Sequence, residues 1–308
     1  MKRVVKPKTK RQKARSRFIF LMLCWPVLHF LLSQFLNVNM FIMAFNDYTF
    51  GASDPVFVGW DNFRNIGKLF NLERYNNEWY AVRNTLSIYA LVFFVCEPIS
   101  LMFSYLLYIK VKGYKWLRVV LYLPCITSAV VLVLIFKSFV TSGPLATIYS
   151  WLGIYDKLPI EGWLGPDTAW TMLLIFSVWT GFSSGMIFYH SAMNRVPNDL
   201  IEAAKLDGAS EVRIFFHIVL PLISSTICTM MTLSVASMLA WSMPSMLMMG
   251  NDYGSNFTGT VGLSVLRYTT AKQYGVAASY GILLTLVGAP LTLGFRKLAS
   301  KFEVNVEY

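Results

Sequence analysis

The chain has 308 residues, 56% of them hydrophobic and only 14% charged, where an ordinary soluble domain carries about 25% charged residues. That shortfall excludes an ordinary soluble fold. The 27 Lys and Arg outnumber the 16 Asp and Glu for a formal charge of +11, and on so apolar a chain the surplus reads as membrane orientation, not nucleic-acid binding.

A helix needs about 20 mainly apolar residues to cross a bilayer. Six such runs stand in the sequence, roughly 18–45, 86–109, 119–136, 169–192, 222–249 and 279–295. The expected fold is an all-α integral membrane protein with six transmembrane helices, because soluble core helices rarely run this long without a polar face. Residues 1–17 form a basic tail with nine cations, Lys2, Arg3, Lys6, Lys8, Lys10, Arg11, Lys13, Arg15 and Arg17. The apolar stretch behind them is too long for a signal peptide and lacks a small-residue cleavage site, so 18–45 reads as a retained first span. With a cytoplasmic N-terminus and alternating spans, 19 cations and 6 acids fall inside, against 8 and 9 outside. The charge surplus then sits on the cytoplasmic face, as topology rules require. An even number of spans returns the C-terminus, 301–308, to the cytoplasm. The tail itself reads as a disordered topological anchor on anionic lipid. The organisation is a tail (1–17), a first span with its outer loop (18–80), a five-helix core (81–300) and the C-terminus.

In the second span Glu97 is the only acid within an apolar run. It precedes Pro98, which frees backbone groups and kinks a helix. An intramembrane carboxyl is a functional hypothesis by default: Glu97 serves either in structural pairing or facing a cavity, or in a proton or substrate role, the last as the coupling group of an ion-driven secondary carrier. The four cysteines, Cys24, Cys96, Cys125 and Cys228, lie far apart in apolar runs with no CxxC, which argues against a disulfide framework or a zinc site. On the fourth span Ser177, Thr180, Gly181, Ser184 and Gly185 make one small, partly hydroxylated face. Gly181-Phe-Ser-Ser-Gly185 is a GxxxG pattern suited to close helix packing, and the same face suits the lining of a path.

The loop between the fourth and fifth spans, about 195–221, is the most informative stretch. Pro197 with Asn198 and Asp199 starts a helix, the acid lying favourably near its N-terminus. Gly208 ends that helix as a C-terminal cap residue, Ser210 caps a second helix over Arg213, and Pro221 marks re-entry into the membrane. Ala203 and Ala204 are too small for a lipid anchor and suit close docking into another protein.

Glu202-Ala-Ala-Lys-Leu-Asp-Gly208, followed by Ile218-Val-Leu-Pro221, resembles the EAA motif of type I ABC importer permeases. Phe57-Val-Gly-Trp-Asp-Asn-Phe63, Asn84-Thr-Leu86, Leu123-Pro124 with Ile135-Phe-Lys137, Trp163-Leu164 with Ala169 and Trp179, and Tyr274-Gly-Val-Ala-Ala278 look like the sugar branch related to maltose and glycerol-phosphate permeases. The resemblance covers about 18–300 and implies a coupling helix, Glu202, Ala203, Ala204, Asp207 and Gly208, seated in a cleft of an ATPase subunit. It also implies a second permease in a heterodimer, two ATPase subunits that use ATP and magnesium, an extracytoplasmic solute-binding protein and a sugar substrate, in the plasma (inner) membrane. By distance from Glu202 the resemblance sets the solute path near Ser177, Thr180, Gly181 and Ser184. By distance from Pro221 and Pro124 it adds Met238, Trp241, Cys125 and Ala129, with Trp241 able to stack on a sugar ring. Ser184, Cys125 and Met238 depart from the aromatics and amides that hold a sugar firmly.

The chain shows no GxxxxGK[ST] phosphate loop: Gly67-Lys68 is its one Gly-Lys pair and Asn62 stands where the first glycine is needed. The expectation is a transport subunit with no catalytic residue, cofactor or metal of its own, energised from outside through 202–208.

Overall fold

The computed structural model describes residues 10–48, 55–70, 78–141, 147–148, 151, 164, 168–240 and 258–303. The elements are helices α1 (Lys10–Ala44), α2 (Asp61–Leu69), α3 (Glu78–Tyr108), α4 (Tyr114–Ile126), α5 (Ala129–Thr141), α6 (Ala169–Met193), α7 (Asn198–Leu206), α8 (Glu211–Leu222), α9 (Ser224–Ala240), α10 (Val261–Thr270) and α11 (Tyr274–Phe302), with one two-residue pairing of β1 (Asn46–Asp47) and β2 (Val56–Phe57). Among the described residues, α3, α6 and α11 are long and apolar enough to cross a membrane, and the count reaches five if each of two bent pairs is one span. The six expected spans are not reached on this test. Helix α1 contributes a shorter apolar segment, Phe18–His29. It begins at Lys10, so the second half of the basic tail continues the helix, consistent with its run of good helix formers; residues 1–9 lie outside the described residues.

The third span differs most from expectation. It is two helices, α4 and α5, meeting at 108°. Pro124 supplies no N–H to the preceding turn, and Thr127 is extended, at φ −83° and ψ 143°, with its hydroxyl on the Leu123 carbonyl at 2.8 Å. The fifth span is likewise bent, α8 meeting α9 at 72° across Ile223. Two wider turns precede prolines. In α3 the segment Val92–Cys96 is π-helical and the Glu97 N–H reaches back to Val92, immediately before Pro98. In α8 the segment Phe215–Val219 is π-helical and the Leu220 N–H reaches Phe215, immediately before Pro221. The extra residue makes room for a ring that would otherwise meet the carbonyl four residues earlier.

The centre of the bundle is the seam between α3 and α6. A Cβ on Gly181 would stand 3.0 Å from Cys96 Sγ across the seam, and one on Gly185 would stand 3.6 Å from Glu97 Oε2 across it and 2.9 Å from the Tyr189 ring of its own helix. Across the seam Cys96 donates to the Ser177 carbonyl at 3.9 Å, Ser100 donates to the Phe182 carbonyl, and Ser104 donates to the Met186 carbonyl at 3.2 Å. The Tyr189 hydroxyl donates to Glu97, which is buried. Small residues let the backbones approach, and hydroxyls held that close find carbonyls. Aromatic and aliphatic side chains of α5 and α6, including Phe136, Phe176 and Leu173, fill the space beside it with Ile88 of α3.

At the end of the bundle away from α7, buried Glu78 at the start of α3 accepts from Ser264 at 2.8 Å, Tyr280 at 3.1 Å and Tyr268 at 3.2 Å. Three hydroxyls thereby tie α3, α10 and α11 at a single carboxylate. Burial, and then the Glu78 charge, push the Tyr268 phenol above its ordinary range. Asn62 of α2 donates to the carbonyls of Ala44 and Asn46 at 2.9 and 3.1 Å. Gly275 passes so close that a Cβ there would lie 2.4 Å from the Asn46 carbonyl oxygen.

Replacing Gly181 by Val drives a side chain into Cys96 of α3 across the seam. The expected loss is about 1–3 kcal/mol, as for other overpacked cores, seen as a lower unfolding midpoint in detergent by circular dichroism. Gly294→Ala on α11, where a Cβ meets nothing within 4 Å, should leave the midpoint unchanged or raise it; equal effects at the two sites would contradict the seam.

Candidate coupling loop and solute path

Helix α6 runs out at Met193, and the turn that follows is closed by Arg195 N–H on Ala192 and Val196 N–H on Met193, at 3.1 and 3.0 Å. Pro197, at φ −60° and ψ 128°, turns the chain into α7. The nine residues of α7 divide by side. Ile201 and Ala204 pack with Ala209 against a cluster of Tyr105, Tyr189, Met193, Ile214 and Val219. Glu202, Ala203 and Asp207 are exposed, and Leu206 is 89% exposed. Residues 202, 203 and 206 share one helical face by their spacing of three and four. Thus only Ala203 of the alanine pair faces outward; Ala204 seats the helix on the bundle.

Gly208 has φ +78°. Around it the Gly208 N–H donates to Lys205 at 3.1 Å and the Ala209 N–H to Ala204 at 3.0 Å, the paired bonds of a Schellman ending. Ser210 accepts from the Arg213 N–H at 3.4 Å and starts α8. The two short helices are thus joined by a turn whose backbone groups are satisfied locally. The loop also carries an unforeseen contact: Lys205 Nζ lies 2.9 Å from Glu211 Oε1, and the Tyr105 hydroxyl donates to Glu211 Oε2 at 2.8 Å.

The expected path residues are not all on one open surface. Ser177 is buried, with its hydroxyl on the Leu173 carbonyl at 2.7 Å, and Gly181 sits against Cys96. Thr180 is half-buried and Ser184 exposed, with hydroxyls on the Phe176 and Gly181 carbonyls at 2.9 and 3.0 Å. Cys125 is exposed on α4. Met238 is buried at the end of α9 and lines a cavity of about 80 Å³ with Thr85, Tyr89, Val92, Ser237 and Thr260. Trp241 lies outside the described residues. The hydroxyl residues of α3 in this cavity, Thr85 and Tyr89, escaped sequence reasoning, since nothing local links them to α9. Glu97 is held by Tyr189 inside the seam, a structural pairing.

The family model described as the binding-protein-dependent transport system inner membrane component matches residues 98–304, and the chain belongs to that family. It is a multi-pass membrane permease subunit of an ATP-driven, binding-protein-dependent importer, which disfavours the ion-coupled carrier. It is 26% identical over 302 residues to Protein LplB of Bacillus subtilis, covering 94% of this chain and 90% of that one. It is 25% identical over 268 residues to the arabinooligosaccharides transport system permease protein AraP of Halalkalibacterium halodurans, covering 83% and 79%. Over 238 residues it is 28% identical to the lactose transport system permease protein LacF of Rhizobium radiobacter, covering 72% and 76%. Its fold matches a bacterial alginate ABC transporter solved in complex with alginate pentasaccharide-bound periplasmic protein, with TM-score 0.75 and 20% identity over 95% of this chain and 98% of that one.

Alanine at 208 must adopt a left-handed backbone that costs about 1–2 kcal/mol, so Gly208→Ala should speed hydrogen exchange of the Ala209 amide about tenfold, 1.4 kcal/mol being a factor of ten. Unchanged exchange there would contradict the Schellman ending.

Proposed function

We propose that this chain conducts a sugar or oligosaccharide as one half of a heterodimeric permease, with both termini in the cytoplasm. The observation that carries the reading is α7: a short helix seated on the end of the bundle through Ile201 and Ala204, capped at Gly208, with Glu202, Ala203 and Leu206 outward. A face of this size and chemistry suits a cleft in an ATPase subunit. Two such subunits bind and hydrolyse ATP with magnesium, and this chain supplies neither. Their closure pulls α7 with Asp207 and Gly208 and rocks the bundle, so that the solute enters between the two permeases.

The substrate class is supported by the named cargo of relatives, arabinooligosaccharides and lactose. Thr180, Ser184, Cys125, Met238 and Trp241 are assigned to the path, with Ser177 and Gly181 as its packed backing. On the opposite face we assign docking of the solute-binding protein to a cleft of about 550 Å³, lined in part by Asp47, Tyr48, Asp61, Asn65, Tyr268 and Gln273. That cleft is held rigid by Asn62 and the close approach of Gly275, and preorganised polar surfaces lose little entropy on binding.

The test is copurification of the chain with its neighbouring subunits, followed by ATPase assay against binding protein loaded with a panel of oligosaccharides. Stimulation by one of them is expected. Gly208→Pro removes the N–H that reaches Lys205 and cannot adopt positive φ, so it should abolish stimulated ATPase activity while leaving membrane insertion intact. Full stimulation in that variant overturns the coupling role, and stimulation by a non-sugar solute alone overturns the substrate class.

A further inference from the structure

Glu211 is the first residue of α8, and its two carboxylate oxygens go to two other elements. Oε1 takes the ammonium of Lys205, in the last turn of α7, at 2.9 Å, and Oε2 takes the hydroxyl of Tyr105, at the loop end of α3, at 2.8 Å. The same hydroxyl stands 3.1 Å from the Glu211 backbone carbonyl. Tyr105 is not a surface residue bending toward a charge: it is 7% exposed, its ring 4.7 Å from that of Phe215 and packed among Tyr189, Met193 and Ile214. The ring is fixed by the core, so its hydroxyl is a fixed point.

The ion pair alone argues for little. Its side chains are 50% and 46% exposed, and such pairs contribute about 0–1 kcal/mol. Its significance lies in the connections. From α6 the chain turns through 194–197 into α7; α7 is tied through Lys205 and Glu211 to Tyr105 of α3; and α3 is tied back to α6 by Ser100, Ser104 and Glu97. These links close a ring. The other exit from the loop, α8 into α9, passes a π-helical turn and a 72° bend.

We propose that Glu211 is a positioning residue for energy coupling, pinning the coupling helix α7 to α3 so that α7, α3 and α6 move as one body. The proposal rests on reading α7 as the helix that docks the ATPase subunit. Glu211 itself touches neither nucleotide nor solute; it fixes the angle at which Glu202, Ala203 and Leu206 are presented.

The experiment uses the purified permease pair in nanodiscs, with the ATPase subunit titrated back and binding followed by fluorescence anisotropy. Glu211→Ala is expected to weaken ATPase-subunit binding about fivefold, at the low end of coupling between sites, with little change in the melting temperature of the permease. Tyr105→Phe should do the same, and the double variant should be no worse than either single one, because the residues act through one link. The charge exchange Lys205→Glu with Glu211→Lys should recover most of the loss. Unchanged binding in Glu211→Ala, or additive losses in the double variant, overturns the proposal. If the ATPase subunit fails to bind the native permease at all, the coupling reading itself falls and takes this role with it.

Discussion

Everything in this molecule is arranged around the close seam between α3 and α6. In hydrocarbon, apolar surface gives no net drive for one helix to leave lipid for another, so association depends on tight packing and on polar groups that meet partners. Gly181 and Gly185 remove the side chains that would hold the backbones apart, and Cys96, Ser100 and Ser104 then reach carbonyls of the facing helix. Each such bond is worth only about 0.6 kcal/mol in a membrane setting. Their value is in register: together with the pairing of Tyr189 to Glu97 they fix how far α3 slides along α6, and the loop end of each helix is set by that register.

The loop inherits this rigidity on one side and not on the other. Tyr105, at the loop end of α3, anchors the cluster on which α7 sits, and Ala204 and Ala209 are small enough to lie against it. The backbone between the two short helices is satisfied by its own bonds at Lys205 and Ala204. Beyond it, α8 carries five π-helical residues before Pro221 and then bends at Ile223. π-turns and proline bends are where helices yield. On the proposed coupling role, motion imposed on α7 is carried as a unit into α3 and α6 and absorbed at the junction with α9.

Much of this was legible in the residues because its causes are local. Gly208 as a C-terminal cap, Ser210 as a hydroxyl cap over Arg213, and the start of α7 after Pro197 each depend on a few neighbouring residues, and each is found. The glycine pair of α6 was legible as a packing pattern, although its partner helix was not. What escaped required tertiary knowledge. The break at Thr127 lies just after Pro124 and beside Ser128 in a run that is otherwise apolar, and hydropathy averaged over that run does not register a backbone bend. The link of Glu211 to Tyr105 joins residues 106 positions apart. Ser177 and Ser184 carry the same side chain on one predicted face, yet the first is sealed by the seam and the second is exposed, because α3 covers only part of that face.

The central claim is that the coupling helix and the α3–α6 pair form one body hinged against α9. The most direct measurement is pairwise electron–electron distances between spin labels in the assembled importer, nucleotide-free and trapped with vanadate, after the exposed Cys24 and Cys125 are replaced by Ser. Labels go on Leu200 of α7, away from the docking face, Met102 of α3 and Leu233 of α9, all exposed. The account predicts an unchanged distance from Leu200 to Met102 and a shifted distance from Leu200 to Leu233. A shift in the first with constancy in the second would contradict it.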